Sequence, residues 1–312
     1  MGIPVTVTVD DHILTFSENW DNPVYARPAS DGAMWMPILE KAAAKLYGNF
    51  EMISGGWMGP AIQTLTGAPF YEYKHGSTQA DELWNKLSER TTAGWMITAG
   101  TPTGPGTDQM QNELGMAFMH AYTVLKTVTL SDGTRLVRMR NPWGSETYHG
   151  PWADDSDRWT DAYKQEAGWV DEDDGAWFTT FENFHTYFSE THMNANIDDE
   201  HLTYWAQFET PKNVDNVLTV TSSVAQTLYV SAYTYDIQHL RNGECVGWDN
   251  DTTLNVKSNS QNTWLGFNSG YAHFDPIEIA AGGSHSYTID LDWSDNELRA
   301  QDYSFVVWST MQ

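Results

Sequence analysis

Cysteine is nearly absent from this chain: Cys245 is the only one in 312 residues. An internal disulfide is therefore excluded, and with it the disulfide-stapled scaffolds of small secreted domains. Cations are scarce too, with 16 Lys and Arg against 42 Asp and Glu and a formal net charge of −26. A nucleic-acid surface needs Lys and Arg against its phosphates, so the charge argues against that partner class. It also disfavours anionic membrane surfaces, unless bound cations invert the local field. No apolar run reaches the roughly 18 residues that would span a bilayer. Residues 1–11 carry neither the basic stretch nor the long apolar stretch of a secretory signal. These absences point to a soluble, intracellular, cytoplasmic protein. The one sequon, Asn250-Asp251-Thr252, is expected by chance.

What is present is core-forming material: 40% hydrophobic residues, with 15 Trp and 15 Tyr, which is the composition of a folded chain. The length favours two domains. The most informative stretch is a hairpin from His120 to Gly144. The β-branched and aromatic run Tyr122–Val128 and the run Leu136–Met139 read as strands joined at Asp132-Gly133, and Pro142 stops the second. His120 and Asn141 stand at the open end with the same strand parity. A regular two-residue turn would place Val124, not His120, opposite Asn141, so a bulge or strong twist is needed to bring them together. Taken singly, the His reads as a structural residue and the Asn as a turn former before Pro.

The combination reads differently. H-A-Y at His120 followed by R-N-P-W-G at Arg140–Gly144 resembles the His and Asn motifs of papain-like cysteine proteases, and the wording is similar to calpain. The resemblance extends to Asp10-Asp11, to W-x-x-x-L-E-K-A at Trp35–Ala42, to Gly55-Gly56, to Leu65–Gly67 and to W-F-x-x-F-E-N-F at Trp177–Phe184, covering most of residues 3–196. It implies that His120 is a general base and acid paired to a thiolate, that Asn141 holds the imidazole in its working tautomer, and that Trp143 shields that bond from water. A His–Cys pair lowers the thiol pKa and stores an imidazolium for the leaving amine. Two departures from the family pattern matter. The family's nucleophilic Cys belongs to a first lobe N-terminal to everything in this sequence, and Cys245 follows His120 at a great distance in another predicted domain. Met119 stands where the family usually carries Gly, on the floor of the substrate cleft. The chain is thus expected to hold half an active site and to be inactive alone.

From Asp154 to Asp174 there are nine carboxylates against Arg158 and Lys164, interleaved with Trp159 and Trp169 and preceded by Trp152. Such a run is usually a solvated face, although its tryptophans require part of it to pack. Calcium takes oxygen ligands that a segment like this supplies. The resemblance implies a calcium site with Asp154 and Asp174 as ligands and the Ala176 carbonyl as a third group. Thr147 stands where the family carries Glu, and Glu146 is one residue off.

In chain order, residues 3–9 alternate like a strand. Ser30-Asp31 can cap a helix with apolar positions Trp35, Ile38, Leu39, Ala42 and Leu46, ended by Gly48. A short helix is expected over Ala61–Leu65 and another over Gln79–Arg90, capped by Ser77-Thr78 and burying Leu83, Trp84 and Leu87. Trp95–Thr98 reads as a strand, and Gly100–Gly106 as a loop that is either a disordered connector or, by resemblance, one that gates a cleft. After the polar break Asp198–Glu200 come period-two runs at Tyr204–Phe208, Val217–Thr221, Thr227–Ala232, Thr253–Val256, Ser286–Leu291 and Tyr303–Trp308. The expected fold is α+β: a papain-like antiparallel-barrel lobe with outer helices over residues 1–197, then an all-β sandwich (calpain-type, C2-like) over 198–312. Three functional readings stay open. The chain is the nucleophile-lacking portion of a calcium-dependent cysteine endopeptidase acting on protein substrates, whose Cys-bearing first lobe lies in the same or another chain. Alternatively, it is a non-catalytic structural or protein-binding subunit of a larger assembly, or a calcium-dependent regulatory binding module.

Overall fold

The structure is a computed structural model that describes residues 5–16, 23–29, 31–106, 108, 110–170, 172, 174–197, 202–211, 214, 216–233, 252–258, 271–293 and 300–309. Ser30, the polar break Asp198–Glu200 and Cys245 lie outside the described residues. The chain divides into two compact units. One comprises residues 1–56, 64–67 and 197–312, the other residues 57–63 and 68–196. Among the described residues no helix is long and apolar enough to cross a membrane.

The unit holding His120 is built on a six-stranded antiparallel sheet in the order β1-β6-β2-β3-β4-β5. Its strands are β1 (Phe70–Lys74), β2 (Met96–Gly100), β3 (Ala121–Thr129), β4 (Arg135–Arg140), β5 (Ala176–Thr180) and β6 (Glu190–Asn194). Among the described residues no ladder joins β1 to β5, so the sheet has two edge strands. Strand alternation sends side chains to both faces. Val137 and Met139 of β4 and Trp177 of β5 enter one core with Ile97, Tyr122, Val124 and Met193. That core is covered by helix α3 (Ala80–Thr92) through Leu83, Trp84 and Leu87, as the helical spacing predicts, and by α5 (Phe181–Tyr187) through Phe181 and Phe184. The neighbours Leu136 and Phe178 point the other way, into a second core with Trp152, Trp159 and Ala167. The tryptophans of the acidic segment thus fold its apolar positions under the sheet. Its carboxylates flank a short helix, α4 (Asp161–Ala167), capped by Thr160 and closed by Gly168 in the left-handed conformation.

Several expectations are corrected. Residues 5–9 alternate but form no strand. The Thr8 carbonyl accepts from Lys45 Nζ at 2.6 Å and, just beyond the stretch, the His12 carbonyl from Lys41 Nζ at 2.7 Å, so side chains of α1 (Trp35–Tyr47) rather than a neighbouring strand contact this segment. No side chain caps α1, whose N-cap is Met34, and Asp31 instead accepts from Ala33 N–H in a local turn. Trp35, expected on the buried face, is exposed, and Pro37, Ala44 and Tyr47 are buried in its place. Nor do Ser77-Thr78 cap α3. Its N-cap is Gln79, and Asp81 and Glu82 in the first turn face the positive helix end. Helix α2 (Met58–Thr66) starts two residues before Pro60, which its first turn tolerates.

In the other unit, the six expected strands lie within β7 (Leu202–Pro211), β8 (Asn216–Thr221), β9 (Gln226–Tyr233), β10 (Thr252–Ser258), β13 (Ser284–Trp293) and β14 (Ala300–Ser309). Two three-residue strands, β11 (Tyr271–His273) and β12 (Ile277–Ile279), are additional. Sheets β10-β13-β8 and β11-β9-β14-β7 contribute alternate residues, including Leu218, Val230, Tyr287, Ile289, Phe305 and Val307, to one shared core, the arrangement of a two-sheet β unit.

The loop before His120 is tied to the segment after Trp143 by close backbone packing at Gly115. This residue has φ +82°, its carbonyl accepts from Thr147 Oγ1 at 2.7 Å, and an added Cβ would stand 1.9 Å from the Thr147 carbonyl oxygen. Gly133 in the hairpin turn has φ +88° with open space around it. In denaturant unfolding, Gly133→Ala should therefore cost about 1–2 kcal/mol, the left-handed penalty alone. Gly115→Ala should cost clearly more. Equal losses would mean that the Gly115–Thr147 contact is absent in solution.

Candidate active site

Two one-residue displacements in the β3–β4 hairpin set the geometry of the site. Thr129 pairs with Arg135 and Leu130 N–H bonds the Thr134 carbonyl at 2.9 Å, so the loop is Ser131-Asp132-Gly133, one residue longer than a two-residue turn. Further along, the register shifts again between Val124 and Lys126, leaving Leu125 as the extra residue of a bulge. The ladder then runs through Val124–Met139 to Thr123–Arg140. Continued by one step, it brings Tyr122 opposite Asn141. Each displacement alone would turn His120 to the opposite face from Asn141. Together they keep the parity and bring the two residues closer along the strand. The bulge required by the sequence spacing is present, and the turn supplies a second displacement that the Asp-Gly signal did not reveal.

The His120 imidazole is half-buried, and its Nε2 lies 3.0 Å from Asn141 Oδ1. Asn141 is completely buried. Its side-chain oxygen also accepts the Trp143 backbone N–H at 3.1 Å. A backbone N–H only donates, so the atom it meets must be the amide oxygen, and this removes the usual ambiguity of amide orientation. The oxygen in turn only accepts, so Nε2 of His120 carries the proton and Nδ1 keeps its lone pair. Asn141 therefore selects one imidazole tautomer. Its backbone is held as well, with N–H donating to the Gly175 carbonyl at 2.8 Å and C=O accepting from Gly144 N–H at 3.0 Å across the Pro142-Trp143 turn. Gly175 has φ +79°, and a Cβ there would stand 2.9 Å from the Asn141 carbonyl oxygen, so this approach needs glycine.

On the other side of the imidazole, Thr101 clamps the His120 backbone. Its N–H donates to the His120 carbonyl at 3.0 Å, and its Oγ1 accepts the His120 N–H at 3.0 Å and donates to the Ala117 carbonyl at 2.7 Å. The sequence reading missed this residue. A threonine closing a strand at the start of a Gly/Pro-rich loop was the available signal. Tyr122 packs edge-on to the imidazole at 4.8 Å, with its hydroxyl accepting the Ala117 N–H and its pKa pushed up to about 12 by burial. The indole of Trp143 lies 4.4 Å from the imidazole and remains 45% exposed. Met119, next to His120, has φ +50° and is 57% exposed. A left-handed backbone at this position is one that glycine adopts without penalty.

The acidic residues lie apart from this constellation. Asp154 Oδ1 accepts the Trp169 indole N–H at 3.1 Å, and Asp174 Oδ1 accepts the Ala176 N–H at 2.8 Å. Glu146 is the perturbed group here, its carboxyl raised to about 7 by burial and by the neighbouring Asp154. Asp154, Asp174 and Glu146 do not form a set with ligand atoms within 4.8 Å of one another. Asp171 and Asp173 lie outside the described residues.

Comparison with known proteins places these motifs in context. The profile of the calpain family of cysteine proteases matches residues 1–195. The chain is 34% identical over 197 residues to the calpain-type cysteine protease ADL1 of rice, covering 61% of this chain and 9% of that protein. It is 28% identical over 212 residues to Calpain-A of Drosophila melanogaster (64% and 25%) and 30% identical over 194 residues to Calpain-9 of rat (60% and 28%). The chain thus spans less than a third of the length of these relatives. A match to the P-domain of Macrobrachium rosenbergii nodavirus covers 36% of this chain and 94% of that domain at 11% identity, with a TM-score of 0.18, and carries no argument. On the extent of the family match, the chain belongs to the calpain family of cysteine proteases.

Proposed function

We propose that this chain carries the His–Asn half of a cysteine-endopeptidase site, over a lobe spanning residues 1–197, and that its thiolate is supplied from outside the 312 residues. The observation that carries this reading is the His120–Asn141 bond with the tautomer it imposes. With Nε2–H held by Asn141, the Nδ1 lone pair is the base available to a thiol. Proton transfer from thiol to Nδ1 gives a thiolate–imidazolium pair, and the imidazolium later protonates the leaving amine of a cleaved peptide. Asn141 orients the ring and Trp143 packs against it; neither exchanges a proton. The sequence's one cysteine, Cys245, belongs on this reading to the β-sandwich domain over 198–312 and takes no part.

Met119 favours a second reading, in which the lobe binds a protein segment without cleaving it. Met119 has a backbone conformation suited to glycine, and by resemblance it stands on the floor of the substrate cleft beside His120. One experiment separates the readings. The chain alone should hydrolyse no unstructured protein substrate, since loss of the nucleophile costs several orders of magnitude. Mixed with a Cys-bearing first lobe from a relative, it should gain turnover that His120→Ala abolishes. Association without turnover would favour the binding module. Turnover by the chain alone, lost in His120→Ala and retained in Cys245→Ser, would overturn the proposal.

The reading includes a calcium ion at the acidic segment, with Asp154 and Asp174 as ligands and Glu146 as a third carboxylate. What supports it is the crowding of Glu146 against Asp154 in a half-buried setting, where a cation relieves the repulsion. Binding on this reading draws the carboxylates together. When bound, the ion would supply positive charge and tie the segments 146–154 and 174–176 to each other. Glu146 has a folded-state pKa above its unfolded value. Its ionisation therefore costs stability progressively as pH rises from about 4.5 towards 7, and the cost is constant above that. Without calcium, Glu146→Gln should be more stable than wild type at pH 8 and indistinguishable from it at pH 4.5. Millimolar calcium should raise the wild-type Tm more at pH 8 than at pH 5.5, and Asp154→Asn and Asp174→Asn should each lose most of that rise. A calcium response independent of pH or of these carboxylates would rule out the site.

A further inference from the structure

The sheet face turned away from the α3-covered core carries a polar stripe that the His–Asn site does not use. In β6, Met193 enters that core, while Glu190, His192 and Asn194 share the opposite face. Their ladder partners extend the stripe. Glu72 of β1 stands opposite His192 and Lys74 opposite Glu190, and on the β2 side Thr98 stands opposite His192. Burial is high: His192 is 1% exposed and Glu190 9%. Buried polar atoms normally find partners. Yet Thr98 Oγ1, both ring nitrogens of His192 and Asn194 Oδ1 have no hydrogen-bond partner, four of the eight such atoms among the described residues. That concentration in one stripe needs a chemical cause.

The spacing supplies one. His192 Nε2 is 3.5 Å from Glu190 Oε1, too long for the usual N–H···O bond of about 2.7–3.2 Å. Two donors each about 2.0–2.1 Å from a tetrahedral ion stand roughly 3.3 Å apart, close to this separation. Ligand atoms of Glu72, Glu190 and His192 all lie within 4.8 Å of one another. The other ring nitrogen points elsewhere: a Cβ added to Gly59 in α2 would stand 2.5 Å from His192 Nδ1, which turns Nε2 toward the carboxylates. Glu72 is the partly exposed member. Among the described residues its ion pair is with the exposed Lys74, at 3.6 Å, a surface contact too weak to hold it.

We propose that Glu72, Glu190 and His192 bind a first-row divalent cation, with zinc best matched to the donors. Calcium and magnesium take oxygen ligands, which the orphaned imidazole is not, and the three donors include no thiolate that would select a softer ion. Two carboxylates and a neutral imidazole balance the ion's charge and leave one tetrahedral position to water on the Glu72 side. The ion ties β1 to β6 beside α2, a cross-strand link in the sheet that bears His120.

The test uses the full chain, stripped with chelator and then equilibrated in excess calcium. Zinc should bind tightly, be retained through desalting when measured by elemental analysis, and raise the Tm. Cobalt in its place should give the intense visible bands of tetrahedral coordination. Glu72→Gln, partly exposed and expected to match the wild-type Tm in chelator, should weaken zinc binding at least about tenfold and remove the cobalt bands, as should His192→Gln. Asp154→Asn should leave zinc binding unchanged. If His192→Gln fails to fold, Glu72→Gln decides. Failure of wild type to retain zinc, or zinc retention and cobalt bands that persist in Glu72→Gln, would overturn the proposal.

Discussion

A hydrogen bond 3.0 Å long, from His120 Nε2–H to Asn141 Oδ1, is the interaction around which the surrounding structure is arranged. It exists only because two strands arrive with the correct parity, and the parity results from a three-residue turn and a bulge at Leu125 acting together. Its chemistry is fixed by a second donor. The Trp143 N–H identifies the Asn141 oxygen, the oxygen fixes the imidazole proton on Nε2, and Nδ1 remains basic. The complete burial of Asn141 keeps competing water away. Thr101 and the Gly175 approach hold the two backbones that carry the pair.

Much of this was legible in the sequence because it rests on local rules. Leu83, Trp84 and Leu87 recur at helical spacing and are buried, and Asp132-Gly133 marks the hairpin turn. The spacing of His120 and Asn141 already demanded a bulge. What escaped depended on partners distant in sequence. β1 and β6 are five-residue strands without clean alternation of polarity, and β6 is wholly buried although it reads Glu-Thr-His-Met-Asn. The alternating residues 5–9 went the other way: no neighbouring strand pairs with them among the described residues, and the Thr8 carbonyl is taken by Lys45. Local pattern predicts a strand only where a neighbour exists to pair with it.

The two faces of the sheet divide the chemistry of this unit. One packs α3 and α5 over an aromatic and aliphatic core that includes Tyr122, whose ring abuts the His120 imidazole. The other bears the buried Glu190, His192 and Asn194, of which both His192 ring nitrogens and Asn194 Oδ1 have no hydrogen-bond partner.

The central claim is that Asn141 holds His120 as the Nε2–H tautomer with a free Nδ1. Long-range 1H–15N NMR of the histidine side chains, recorded at alkaline pH with the imidazoles neutral and assigned with His120→Gln, reads this directly. The account predicts a protonated, pyrrole-like Nε2 and a pyridine-like Nδ1 for His120 in the wild type, and an averaged mixture of tautomers in Asn141→Ala. A protonated Nδ1 in the wild type, or a tautomer unchanged by Asn141→Ala, would contradict it.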